Sequence, residues 1–233
     1  MNKYHQEILK EIKKVKPLRP IPPRVLGTPH FLYSLNNPQK RKIVGAWWKT
    51  HKNISIKEFT LLLDSLYRGQ SCDEKTIAGM FLETSRFQGT IEPKKIKEWL
   101  SFLEGWVEVD TTCQSSFEPK EILDNWPVWK ALLLELNKDK NINKRRASLI
   151  LLVKPVRSSP DLRLKDIAFY NLDNLKEEKQ VLITKAVSWL LRSLIKYHYK
   201  EVAEYLKKNK DSLPKIVVRE TMNKLKSGRK SGK

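Results

Sequence analysis

The sequence predicts an all-α protein, an α-solenoid of stacked antiparallel HEAT-like helix pairs. Three observations predict it. The 233 residues include only eight glycines and no alternating valine- and threonine-rich runs, so β-structure has little to build on. Apolar residues recur instead at spacings of three and four, the period of one helix face. Segments such as ASLILLV and ITKAVSWLLRSLI are apolar on more than one side and need cover on both faces, which stacked helix pairs provide.

In chain order, MNKYHQEILKEIKKVK reads as a first helix without the apolar stretch or cleavage site of a secretory signal. PLRPIPPRVLGTPHF, residues 17–31, holds five prolines and separates that helix from the rest. IKEFTLLLDSLYRG reads as a helix closed by Gly69 at its C-cap, and DEKTIAGMFLETSRF opens with acids in its first turn. PKKIKEWLSFLEG starts with Pro93 in a first-turn position and stops at Gly105. WVEVDTTCQSSF, WPVWKALLLELNKD, KNINKRRASLILLVKPV, LKDIAFYNLDNL, EEKQVLITKAVSWLLRSLIKYH, YKEVAEYLKKNKD and LPKIVVRETMNKL follow. The expected total is about ten to twelve helices, with roughly 35 to 45 residues per pair. Residues 1–30 are expected as an N-terminal helix and proline-rich segment, 31–226 as one HEAT-like domain, and 227–233 as a flexible basic tail.

The formal net charge is +20, and it is unevenly placed. Residues 101–140 carry eight acids against four lysines, inside a chain that is otherwise strongly basic. Such a field favours a polyanionic partner, nucleic acid or an anionic membrane surface. No apolar run approaches the roughly 18 residues that span a bilayer. Cys72 and Cys113 form neither a metal spacing nor a disulfide framework and read as ordinary thiols of a reducing cytoplasm. His5, His30, His51 and His198 share no ligand spacing, and HExxH, paired CxxC, GxSxG and GxGxxG are all missing. The expectation is therefore an activity without metal or cofactor, or no activity.

Within the acidic stretch, Gly105 ends one helix, so Trp106 opens the next and shares a face with Asp110 one turn on. Farther along, KRRASLILLV places Arg145 and Arg146 near a helix start. KAVSWLLRSLIK sets Trp189 between Lys185 and Arg192, and LPKIVVRETMNKL carries Arg219 beside Glu220.

These motifs, in this order, resemble the HEAT-like DNA alkylation-repair glycosylases of the AlkD type. WVEVD is similar to that family's Trp-x-x-x-Asp, NKRRASL to its paired arginines, KAVSWLLR to its second tryptophan helix and LPKIVVRETMNKL to its closing helix. The resemblance covers roughly residues 25–226. It implies that Trp106 and Trp189 flank the lesion-bearing nucleotide, that Asp110 is the catalytic carboxylate, and that Arg145 or Arg146 binds the adjacent phosphate. The separation from Asp110 favours Arg145, and Arg146 stays open. Lys185, Arg192 and Arg219 are the further DNA-binding candidates. The family often has glycine-containing sequence where this chain reads LYSLNN.

The resemblance further implies a monomeric, monofunctional glycosylase of base excision repair, cytoplasmic and nucleoid-associated when DNA-bound. It would excise 3-methyladenine and 7-methylguanine from duplex DNA without enclosing the flipped base. Two alternatives stand beside it: a non-catalytic binder of distorted or branched DNA from the same family, and a HEAT-like protein-interaction scaffold.

Overall fold

The computed structural model describes residues 1–17, 22–87, 89–114 and 117–231. Leu18, Arg19, Pro20 and Ile21 of the proline-rich segment, Gln88, Ser115 and Ser116, and Gly232 and Lys233 of the tail lie outside the described residues. Fourteen helices form among the described residues, in two compact units, Met1–Ser116 and Phe117–Lys233.

The first unit holds α1 (Lys3–Lys14), α2 (Pro23–Leu26), α3 (Asn37–Thr50), α4 (Ile56–Tyr67), α5 (Cys72–Thr84), α6 (Pro93–Leu100) and α7 (Trp106–Gln114). Three of its helices open on capping boxes that are visible as local sequence: Asn36 with Gln39, Ser55 with Glu58, and Ser71 with Glu74. Helices α3, α5 and α7 lie side by side, with α1 against α3 and α4, and α4 against α5. Eleven of the thirteen residues of α5 are buried, so it is the unit's central helix.

Three of its charged residues, Asp73, Glu74 and Lys75, are buried as well, and each is answered. Lys40 pairs with Asp73 at 3.0 Å, and His5 Nε2 with Glu74 at 2.7 Å. Lys75 Nζ donates to the carbonyls of Tyr67 (2.8 Å), the last residue of α4, and Gly69 (2.7 Å), just beyond its C-cap. Burial holds Lys75 below its usual pKa. Burial alone would raise Glu74, but hydrogen bonds from His5 and Ser71 outweigh it and hold Glu74 below its usual value. Removing one member of such a buried pair costs on the order of 3 to 5 kcal/mol, because the other charge is left without compensation.

The second unit holds α8 (Pro119–Asp124), α9 (Trp126–Asn137), α10 (Ile142–Ser158), α11 (Leu162–Leu175), α12 (Val181–Leu194), α13 (Tyr199–Asn209) and α14 (Lys215–Ser227). Helices α10, α12 and α14 form one row. Helices α9 and α11 pack on α10, and α13 packs on α12 and α14. The all-round apolar segments fall in this row: eleven residues of α10 and nine of α12 are buried.

The structure departs from the sequence reading in three local ways. Three helices are additional: α2 and α8, at four and six residues too short to leave a period, and α3, fourteen residues long, which opens on the Asn36 capping box. Gly69 is not the C-cap of α4, a position that Arg68 occupies in ordinary right-handed conformation. Glycine is needed at 69 for space, because a Cβ there would lie 2.5 Å from Glu74 Oε1 and 2.9 Å from the Leu66 carbonyl oxygen. Gly105 likewise does not end α6, which closes at Ser101; it sits at the entrance to α7 with φ +79°.

Candidate functional site

Helix α7 presents Trp106 and Asp110 one turn apart, as the spacing predicts. Trp106 is 38% exposed and Asp110 is half-buried. The entrance to the helix is built by two glycines in the left-handed region, Gly27 (φ +65°) and Gly105 (φ +79°). They pack so closely that a Cβ on Gly105 would lie 1.8 Å from the Gly27 carbonyl oxygen. Through that contact, residues 25–30 lie along the first turn of α7. The Trp106 indole Nε1–H donates to the Val25 carbonyl at 3.1 Å.

Between Trp106 and Asp110, the helix turns Glu108 inward, where it is fully buried. Its carboxylate accepts the Thr28 hydroxyl (2.5 Å), His30 Nδ1–H (2.9 Å) and the Glu104 amide (2.9 Å). Sequence reasoning passed over Glu108. Its partners Thr28 and His30 are 80 and 78 residues away, and nothing local signals the contact.

The LYSLNN segment is held by another buried acid. Asp73 accepts the amides of Tyr33 (2.7 Å) and Leu35 (3.3 Å), and Cys72 N–H donates to the Phe31 carbonyl at 2.9 Å. Between the two Asp73 contacts Ser34 adopts φ +63°. The departure from glycine-containing sequence thus includes a residue in the conformation that glycine adopts without strain.

In the second unit, Arg145 and Arg146 lie in the first turns of α10, as expected, but both are turned to internal work. The Arg145 guanidinium grips Glu178 through Nε (3.1 Å) and a terminal nitrogen, and bonds the Asp139 and Lys140 carbonyls (2.8 and 2.9 Å). Arg146 is buried, and one terminal nitrogen donates to the Leu182 carbonyl near the start of α12.

On α12, Lys185, Trp189 and Arg192 form a strip at helical spacing, with Lys185 exposed and Trp189 half-buried. Arg192 is tied to α14: Glu220 accepts the Ser188 hydroxyl at 2.6 Å and lies 3.7 Å from the Arg192 guanidinium. Burial pulls Arg192 below its usual pKa, and the Glu220 charge partly restores it. Arg219 is exposed on α14. Lys230 reaches back to Glu220 at 3.1 Å, so described residues of the expected tail turn onto α14.

A family model described as DNA alkylation repair enzyme matches residues 28–225. The chain belongs to this family. The match spans every residue singled out above on α7, α10, α12 and α14. Among solved structures, the chain is similar to one described as "Predicted DNA alkylation repair enzyme from Enterococcus faecalis". The TM-score is 0.68 at 14% identity, over 88% of this chain and 93% of that one, a likeness of fold. No curated protein matches the chain. The fold class is that of the family, an all-α, HEAT-like α-solenoid, and family membership makes DNA the substrate class.

Among the described residues, no group of three His, Cys, Asp or Glu side chains converges as a metal site. No described helix is long and apolar enough to cross a membrane.

Proposed function

We propose that this member of the DNA alkylation repair enzyme family is a monofunctional glycosylase that removes cationic alkylated purines, chiefly 3-methyladenine and 7-methylguanine, from duplex DNA. The observation that carries the reading is the family match together with the face of α7 that presents Trp106 and Asp110. Alkylation at N3 or N7 puts positive charge on the purine and weakens its N-glycosidic bond. As the base departs, the sugar develops oxocarbenium character. A carboxylate stabilises that cation or activates the attacking water, by the electrostatic logic of glycoside hydrolysis. Asp110 is assigned this role. The indole face of Trp106 attracts the cationic nucleotide and contacts its sugar, and the family resemblance assigns Trp189 a similar part.

Phosphates fall to exposed Lys185 and Arg219, with Arg192 beside them. Arg145 binds a phosphate by exchanging Glu178 for it. The substrate explains why an acidic stretch sits in a basic chain: the lesion is a cation, while the DNA around it is an anion. No flipped base needs enclosing on this scheme, because the bond of a cationic lesion is already labile.

The test is incubation with a duplex containing 7-methylguanine and chromatographic detection of free base. Release by wild type, lost in Asp110→Asn, supports the glycosylase. Steeply salt-dependent binding without release points to a silent binder of distorted DNA, and the absence of both points to a protein-interaction scaffold.

A further inference from the structure

Resting on the glycosylase reading, we infer that Glu108 is a positioning residue: through Thr28 and His30 it clasps residues 25–30 around the entrance of α7 and so sets the pose of Trp106. Helix geometry separates residues 106 and 108 by about 200°, so they point to opposite sides of α7. One short segment nevertheless holds both. Val25 accepts the Trp106 indole N–H at 3.1 Å, while Thr28 and His30 grip Glu108 on the other side at 2.5 and 2.9 Å. Between these grips lie Gly27 and Gly105 in close contact, each with positive φ. The segment is therefore a strap around the first turn of the helix, fastened on the side away from Asp110.

The fastening is strong and specific. Glu108 is fully buried, and a buried carboxylate is tolerated only when donors surround it. It has three: a hydroxyl, an imidazole N–H and the Glu104 amide, which also closes the loop ahead of the helix. Lys75 of α5 contributes a favourable charge, and Cys72 lies against Glu108, whose charge adds to burial in pushing the thiol up. A side chain that serves only to fill space has no need of such a set. What the set fixes is the strap, and through Val25 the strap fixes the indole of Trp106.

A half-exposed tryptophan has several rotamers, and reactions that depend on a preset face lose rate steeply when it wanders. Unfastening the strap should therefore slow chemistry more than it weakens DNA binding, since phosphate contacts lie elsewhere.

Glu108→Gln sets an amide N–H2 among donors and risks misfolding, so the gentler variant Thr28→Val is the test, with Thr28→Ser as the conservative rescue. Protein labelled with 5-fluorotryptophan reports seven fluorine resonances, and Trp106→Phe assigns the one of interest. In Thr28→Val that resonance should shift or broaden and return in Thr28→Ser. Single-turnover release of 7-methylguanine should fall about tenfold, with duplex affinity within about twofold of wild type. An unchanged Trp106 resonance in folded Thr28→Val overturns the inference, whatever the release rate. So does a moved resonance with unchanged release. Wild-type protein that releases no base sinks the glycosylase reading instead, and the fluorine spectrum still decides whether the clasp sets Trp106.

Discussion

Gly105→Ala places one methyl group at the most crowded backbone contact of the α7 entrance. Two costs add. Residue 105 has φ +79°, where a non-glycine residue gives up about 1 to 2 kcal/mol. The new Cβ would also lie 1.8 Å from the Gly27 carbonyl oxygen and 2.3 Å from its carbon, against a working minimum of 3.0 Å. The neighbours are backbone, so no side chain can swing aside, and residues 25–28 must retreat by about 1 Å or more. A retreat of that size breaks the 3.1 Å bond from Trp106 to Val25, a loss of about 0.5 to 1.5 kcal/mol. It also stretches the Thr28 and His30 bonds to buried Glu108, and bonds to charged groups are worth about 1.5 to 3 kcal/mol. The expected destabilisation is about 3 to 5 kcal/mol, read from urea denaturation followed by circular dichroism. A loss below about 1 kcal/mol would show that the strap is not packed on α7 as described and would refute the reasoning.

Four further outcomes are expected. Asp110→Asn should slow single-turnover release of 7-methylguanine about a hundredfold, the worth of one electrostatic contact of about 3 kcal/mol, and leave duplex affinity level or slightly tighter; unchanged release would remove Asp110 from the chemistry. Glu178→Gln frees the Arg145 fork and should tighten duplex binding several-fold in a filter-binding or anisotropy titration, whereas unaltered affinity argues that Arg145 holds no phosphate. Ser34→Gly should stabilise the protein by up to about 1 kcal/mol by relieving the left-handed residue, measured as a raised denaturation midpoint. Glu121 titrates near 7 in the folded protein, because burial and then the Glu118 charge raise it from the usual 4.5. Its folded value lies above its unfolded one, so stability should fall as pH rises from about 4.5 to 7; Glu121→Gln should flatten that decline in a series of thermal melts, and an unchanged profile would place the effect elsewhere.

Part of the site was legible because its signals are local. A helix repeats every 3.6 residues, so Trp106 and Asp110 had to share a face once α7 formed, and Lys185, Trp189 and Arg192 had to share one on α12. The capping boxes at Ser55 and Ser71 span three residues each and can be read directly. Glycine was harder to read, because a sequence shows where the chain is permissive without showing why. Gly105 looked like the end of α6, yet its positive φ serves a contact with Gly27. Gly69 looked like a left-handed cap, yet it leaves room for the buried Glu74 carboxylate.

By itself, then, the sequence determined the helical class, the order of most of the longer helices, α3 excepted, and the faces that carry Trp106, Asp110, Lys185, Trp189 and Arg192. All of these follow from periodicity and capping within a few residues. Only the tertiary structure decided that Glu108 meets Thr28 and His30 in the interior, or that Arg145 is gripped by Glu178, 33 residues away. The physical reason is the reach of the interactions. Backbone periodicity is fixed over one or two turns, whereas a buried carboxylate needs donors from whichever distant segment packing brings beside it.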